Sequence, residues 1–295
     1  MIIVKLMGGL GNQMFQYSAG QQLAHLHRTE LLVDTSYLET DPEEAYTKRN
    51  LELEVFNLKL EIATQEDIAR FKIKSAGKIS RALQRHLPIL CNTVYAAESG
   101  LHFQKQFFNF PLNTYLDGFW QSEEYFKGIR ANLLAEFVPK EATGPENLAW
   151  IHKMISCESV SLHIRRGDYI TSLSAQQHHG NLDISYYQRA VRVVKDYCSK
   201  EIEIFVFSDD LEWCKENLTF DEQMHFVDSN QVKNFYWDMF LMSRCRHNII
   251  ANSSFSWWAA WLNQNEKKCV VAPIHWFADQ SVRNNNLIPS TWHLT

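Results

Sequence analysis

The sequence predicts an α/β protein of two domains, each built on a parallel sheet. Three observations carry this expectation. The chain has 295 residues, about twice the length of an average domain of ~150 residues. It opens with an apolar run, a glycine loop, a helical stretch and a second apolar run, the β-loop-α-β order that builds parallel sheets. From Ser159 onward, short apolar runs again alternate with amphipathic stretches.

The elements follow in order. Ile2 to Leu6 is an apolar strand that runs into Met7-Gly8-Gly9-Leu10-Gly11. The next stretch reads as a long amphipathic helix with Met14, Phe15, Tyr17, Leu23 and Leu26 near one face, and Glu30 to Asp34 reads as the second strand. Residues 39–50 are acidic and polar, as suits a surface loop. Residues 64–90 give a mixed helical pattern rich in Lys and Arg, and 101–126 is an aromatic-rich stretch. The polar, breaker-rich segment from Pro139 to Pro145 marks the boundary, giving domains 1–142 and 143–295. In the second half Ser159–Ile164 is a strand and 185–199 a helix. Glu201–Phe207 is a strand with a polar exit at Ser208-Asp209-Asp210. His225–Asp228 is a short strand, and 233–245 an amphipathic helix. Asn248–Ala251 leads into Asn252-Ser253-Ser254-Phe255, 256–265 is helical, and Cys269–Pro273 is a last buried strand.

Composition removes several function classes. With 45% hydrophobic and 21% charged residues, the chain is an ordinary soluble globular protein. A formal charge of −5 and a pI near 6.2 exclude a dedicated nucleic-acid binder, which needs a large basic face to displace counterions. The cysteines at 91, 157, 198, 214, 245 and 269 form no Cys-x-x-Cys pair, so neither a zinc knuckle nor a redox motif is predicted. The absence of His-Glu-x-x-His leaves a metalloprotease without support. Met1 to Leu6 is too short for a signal peptide or a membrane span. A cytoplasmic chain is expected, in which the sequons at Asn217 and Asn252 carry no meaning.

The chemistry concentrates in four turns. His163-Ile164-Arg165-Arg166-Gly167-Asp168-Tyr169 follows an apolar strand, and ligands of open α/β sheets sit beyond the carboxyl ends of strands. Two adjacent guanidiniums there suit a diphosphate clamp, since the planar fork matches phosphate oxygens. A structural ion pair of Arg165 or Arg166 with Asp168 is the plainer alternative. Gly8-Gly9-Leu10-Gly11-Asn12-Gln13 sits at a strand-to-helix turn, where free amides can bind an anion. It is no dinucleotide fingerprint, because Met14 stands where a third small residue belongs, and no Walker loop. Ser208-Asp209-Asp210 can accept from a base or ribose, neutralise the arginines, or cap the next helix. Asn252-Ser253-Ser254-Phe255-Ser256 offers hydroxyls and amides for a phosphate and a ring for a flat base, or a plain cap with a core Phe. No Asp-x-Asp metal handle occurs anywhere.

Gly8 to Tyr17 together with His163 to Tyr169 closely resembles the α-1,2-fucosyltransferases of glycosyltransferase family 11. Leu116-Asp117-Gly118-Phe119-Trp120-Gln121-Ser122-Glu123, the Ser208-Asp209-Asp210 exit and Asn252 to Trp258 look like the same family. The motifs come in the family's order over residues 1 to about 277, and the form is similar to that of the bacterial members. The resemblance implies a GT-B architecture, two Rossmann-like domains facing each other across a cleft, with an acceptor-side domain first and a GDP-fucose-binding domain second. It implies GDP-fucose as donor, a terminal β-galactose as acceptor, inversion, no required metal or cofactor, and a place in surface-glycan synthesis with at most peripheral membrane association. Carried over, Arg165 would hold the β-phosphate with His163 and Arg166 nearby. Ser208, Asp209, Asp210, Asn252, Ser253, Ser254 and Phe255 would line the GDP pocket, and Gly11, Asn12 and Gln13 would contribute from the first domain, Asn12 towards the fucose or phosphate. Asp168 is the candidate base or an orienter of the arginines. Acceptor choice is expected around 35–50 and 100–126.

Overall fold

The computed structural model of the chain describes residues 1–40, 48–74, 91–167, 182–230, 234–279 and 286–295. The chain divides into two compact units, Met1–Lys140 with Asn284–Pro289, and Glu141–Arg283 with Ser290–Thr295. The break lies in the expected breaker-rich stretch, just ahead of residue 142. The return of the C-terminal segment to the first unit corrects the expectation that everything after 143 belongs to the second. The Phe103 N–H donates to Asn286 Oδ1 at 3.2 Å, and Leu287 is buried. One polar bond and one leucine leave no periodic trace in a sequence.

The first unit contains β1 (Ile2–Lys5), α1 (Leu10–His27), β2 (Leu31–Asp34), α2 (Ser36–Glu39), β3 (Glu61–Ile62), α3 (Gln65–Lys74), β4 (Val94–Ala97), β5 (Thr114–Asp117) and α4 (Arg130–Glu136). The strands form one sheet in the order β3-β2-β1-β5-β4, parallel throughout. Strands β3 to β5 were not expected; at two to four residues they are too short to show alternation against the aromatic-rich background. The expected amphipathic face of α1 is also corrected. Gln13, Gln16 and Ser18 are buried along with Met14 and Phe15, while Leu26 is half exposed. The helix is covered on both sides: Gly20 lets it close on the sheet, since a Cβ there would lie 2.7 Å from Leu31 Cδ1, and Phe15 meets Phe126 on the other side at 5.9 Å. Residues 41–47 of the expected acidic loop and 75–90 of the expected mixed helix lie outside the described residues.

The second unit contains α5 (Pro145–Ser156), β6 (Glu158–Ile164), α6 (Ile184–Tyr197), β7 (Ile202–Ser208), α7 (Leu211–Asn217), β8 (Gln223–Phe226), α8 (Tyr236–Met242), β9 (His247–Ile249), α9 (Ser254–Leu262), β10 (Val270–Ala272) and β11 (His293–Leu294). Its sheet runs β11-β10-β9-β6-β7-β8, again all parallel. The expected elements occur with ends shifted by a few residues. Two elements were not expected: the helix α5, and β11, which pairs beside β10, so Cys269–Pro273 does not hold the last strand. Parallel sheets are covered on both faces, and β6 shows the result. Val160, Leu162 and Ile164 pack with Tyr186, Val191 and Val194 of α6, so period-two alternation sends Ser159, Ser161 and His163 to the opposite face. Those three are buried as well.

Each sheet has one topological switch point. In the first unit successive strands run outward from β1 through β2 to β3, then resume on the other side of β1, so the crevice opens between β1 and β5. In the second unit the same reversal places it between β6 and β9. Ligands of open parallel sheets bind at the carboxyl ends of such strand pairs.

Candidate functional site

At the second unit's switch point, β6 delivers His163, Arg165, Arg166 and Gly167, and the β9 exit delivers Asn252 to Phe255. The ring of His163 lies 5.8 Å from that of Phe255, and Phe255 lies 6.0 Å from Phe235. His163 is buried, and its Nδ1 has no hydrogen-bond partner among the described residues. Burial pushes its pKa down to about 4, Asp209 opposing and Arg165 adding to the shift. The imidazole is therefore neutral at pH 7 and keeps an unpartnered Nδ1 beside Phe255.

Asp209 organises the arginine turn from the end of β7. Its carboxylate accepts from Arg165 Nη1 at 2.9 Å and from the backbone N–H groups of Arg166 (2.9 Å) and Gly167 (3.0 Å). Gly167 is required by space, because a Cβ there would stand 2.7 Å from Asp209 Oδ2. Asp210 accepts from Arg166 Nε at 3.2 Å and caps α7 through the Trp213 N–H at 3.2 Å. The Arg166 guanidinium lies 3.7 Å from the Trp213 ring centroid, a cation–π geometry. Ser208 Oγ accepts from the Asp210 N–H. The ion pairs of this turn are Arg165–Asp209 and Arg166–Asp210, and Asp210 caps the following helix at the same time. Asp168, the expected base, lies outside the described residues, as does Tyr169.

On the β9 side, Asn252 is buried, its Nδ2 donating to the Trp276 carbonyl. Ser253 caps α9 by accepting from the Phe255 N–H at 3.3 Å. Ser254 is half-buried, with a hydroxyl that has no partner among the described residues. The helix behind it is held rigidly, since Trp257, Trp258 and Trp261 are buried and in mutual contact.

The first unit's glycine turn differs from an empty anion nest. Gly8 takes φ +73° and lies so close to Asn12 that a Cβ would meet its Nδ2 at 2.5 Å, so glycine is needed twice over. The first amide of α1, Leu10 N–H, already donates to the carboxylate of Glu52. Gln13 is spent within the fold: Nε2 donates to the carbonyls of Gly8 and Asn50, and Oε1 accepts from the Glu52 N–H. Gly11 is buried in α1. Asn12 is the residue of this turn that faces outward, half-buried, with its Oδ1 accepting from Gln121 Nε2 at 2.8 Å.

Asp238 was missed by the sequence reading. It is a lone carboxylate in the apolar run Phe235 to Met242, and that contrast was the available signal. It lies on α8, whose Phe235 neighbour flanks Phe255, and it accepts from Asn230 Nδ2 at 2.9 Å. Burial pushes its pKa up to about 7, against the Asn230 hydrogen bond. An unfolded aspartate ionises near pH 4, so between pH ~4 and ~7 the native state keeps a proton that the unfolded state releases. Stability should fall across that window by up to about 1.4 kcal/mol per pH unit. Asp238→Asn is accordingly expected to gain stability relative to the parent as pH rises from 4 to 7, and to hold that gain above 7. Urea unfolding at four pH values checks this; a pH-independent difference would show a solvated carboxyl.

Among the described residues one group has metal-ligand character, Glu158, Cys198 and His247. It lies at the amino ends of β6 and β9, away from the switch point. His247 Nδ1 accepts from the Cys269 N–H at 2.9 Å, so the neutral ring carries its proton on Nε2 and donates to Glu158 Oε1 at 2.8 Å. A metal at Nε2 would have to displace that proton and leave an imidazolate. The trio is better read as a hydrogen-bonded staple. No helix among the described residues is long and apolar enough to cross a membrane.

Three comparisons bear on this geometry. A family model described as Glycosyl transferase family 11 matches residues 1–294. The O-antigen biosynthesis glycosyltransferase WbnK of Escherichia coli is 34% identical, over 97% of this chain and 98% of its own length. An alpha-1,2-colitosyltransferase of Escherichia coli is 31% identical, over 99% of this chain and 97% of its own. The solved structure of an Arabidopsis thaliana FUT1 variant in complex with GDP matches 98% of this chain and 74% of its own at 11% identity, with a TM-score of 0.53, a likeness of fold.

Proposed function

The chain belongs to glycosyltransferase family 11, and on that premise we propose that it moves L-fucose from GDP-fucose to the 2-hydroxyl of a terminal β-galactose, in the synthesis of a surface glycan. The observation that carries the reading is Arg165, set by Asp209 at the carboxyl end of β6 beside the Phe255–His163 pair. In the GT-B manner, the second unit would take the nucleotide and the first the acceptor. The fucose C1–oxygen bond to the β-phosphate breaks as the acceptor oxygen bonds to C1 from the opposite side, which inverts the anomeric centre. GDP leaves with the bonding electrons, and the acceptor proton passes to a base, for which Asp168 is the candidate. As that bond breaks, charge grows on the diphosphate, and a preorganised guanidinium opposite it acts on the transition state more than on the ground state. Neutral His163 and the Ser253–Ser254 turn complete the donor side without requiring a divalent cation.

Transfer from GDP-fucose to lactose in excess EDTA, with the product linkage read by NMR, tests the whole reading. A Fucα1-2Gal product is expected. Loss of activity in EDTA that a metal restores would overturn the metal-free mechanism, and GDP binding without transfer to lactose would keep the nucleotide site and move the search to other acceptors or GDP-sugars. The 31% identity to an alpha-1,2-colitosyltransferase favours one second reading, transfer of colitose, the 3-deoxy counterpart of fucose. Competition between the two GDP-sugars decides between them.

A further inference from the structure

One motif remains without a role: Asp117-Gly118-Phe119-Trp120-Gln121, at the carboxyl end of β5 and the first unit's switch point. Its backbone is both strained and braced. Trp120 takes φ +53°, a left-handed conformation that bulky L-residues avoid and that tends to persist at functional turns. Glu98, one residue past β4, accepts the N–H groups of Phe119 (2.7 Å) and Trp120 (3.0 Å) on a single carboxylate oxygen. Gly118 makes room for it, since a Cβ there would stand 2.3 Å from Glu98 Cβ. The outcome is a sorting of neighbours. Trp120 is fully buried against Phe107 and Tyr125, whereas Phe119 is 39% exposed, and Gln121 is bonded to Asn12.

We propose that Phe119, Gln121 and Asn12 form the subsite for the acceptor pyranose, with Glu98 as its positioning residue. This rests on the transfer reading above and names where that reaction's second substrate is held. The Gln121–Asn12 bond uses one amide hydrogen and one carbonyl oxygen. Gln121 Oε1 and Asn12 Nδ2 have no partner among the described residues, so adjacent amides present an acceptor and a donor. A sugar hydroxyl is both donor and acceptor and matches such a pair. The phenyl ring supplies the apolar wall that small-molecule sites combine with a few placed polar groups. Within the Asp117–Gln121 turn and its brace the ionisable groups are Asp117, paired with Lys5 at 3.3 Å, and Glu98, spent on two backbone N–H groups. What the turn offers a ligand is therefore a phenyl ring and neutral amides, as a neutral galactoside requires.

Initial rates with GDP-fucose and lactose, alongside GDP titration calorimetry, test the assignment. Phe119→Ala and Gln121→Ala are expected to raise the KM for lactose about tenfold while GDP affinity stays within twofold. Glu98→Ala should raise the lactose KM in the same way, and Glu98→Gln, which keeps an oxygen for both N–H groups, should recover most of it. That rescue separates positioning from general loss of fold. A lactose KM within twofold of the parent in both Phe119→Ala and Gln121→Ala overturns the subsite. A parent protein that binds no GDP strikes the transfer reading instead. The subsite is then decided by saturation-transfer NMR of lactose, whose signal must fall in Phe119→Ala for the assignment to stand.

Discussion

Arg165→Ala is expected to lower kcat/KM for GDP-fucose about a thousandfold while thermal unfolding moves by no more than a few degrees. The size follows from the charge that must be met: removing one preorganised donor from a developing anion commonly costs about 10²–10³ in rate, and removing an arginine aimed at a phosphoryl group about 10³–10⁵. The small stability effect follows from the surroundings. Asp209 keeps the backbone N–H groups of Arg166 and Gly167 when the side chain is gone, and the Arg165–Asp209 pair is about a quarter exposed on each side. Arg165→Lys separates charge from shape, because an ammonium keeps the charge but loses the fork. It should fall between the parent and the alanine variant. Steady-state kinetics with GDP-fucose, read beside a melting curve, checks both. Turnover of Arg165→Ala within tenfold of the parent would remove the guanidinium from the mechanism.

The positions of the polar turns were legible in the sequence because each lies where an apolar run ends, and strand ends are where parallel sheets place ligands. Arg165, Asp209 and Ser253 accordingly follow the strand ends β6, β7 and β9, as the apolar runs before them predicted. Which of them face a ligand and which face one another was not legible. The Asp209 carboxylate meets amides 42 and 43 residues away, and Glu52 reaches the first amide of α1 from 42 residues away. Chain position says nothing about such pairings; they exist only after the sheet has assembled. Gln13 shows the consequence. A polar residue at the start of an apolar helix reads as functional, yet here all its bonds go to the fold's own backbone. Trp120 shows the converse, since a left-handed φ on a buried indole is invisible to propensity, which would place glycine there. The short strands β3 to β5 were lost for a third reason, that two to four residues cannot display a period.

Asp209→Ala decides whether this carboxylate anchors the arginine turn or merely tempers its charge. If tempering were its whole role, its removal would leave Arg165 in place with one competitor fewer, and GDP would bind more tightly. The hydrogen bonds favour anchoring. Two backbone amides and one guanidinium converge on the carboxylate, and without it Arg166 N–H and Gly167 N–H must find water in a turn built around that oxygen pair. A fall of about a hundredfold in kcat/KM is expected, with a loss of about 1–2 kcal/mol in stability from the unpaired donors. Asp209→Asn should do nearly as badly despite its similar shape. Its carbonyl oxygen can serve one amide, but its NH₂ would face a second N–H and a guanidinium, donors against donors. Gly167→Ala approaches the same contact from the other side, and its Cβ, 2.7 Å from Asp209 Oδ2, should bring a comparable loss without altering any charge. Three variants that lose activity together, one by truncation, one by polarity and one by volume, would establish the turn as a single mechanical unit. Tighter GDP binding with full turnover in Asp209→Ala would instead make Asp209 a damper of the arginine's charge.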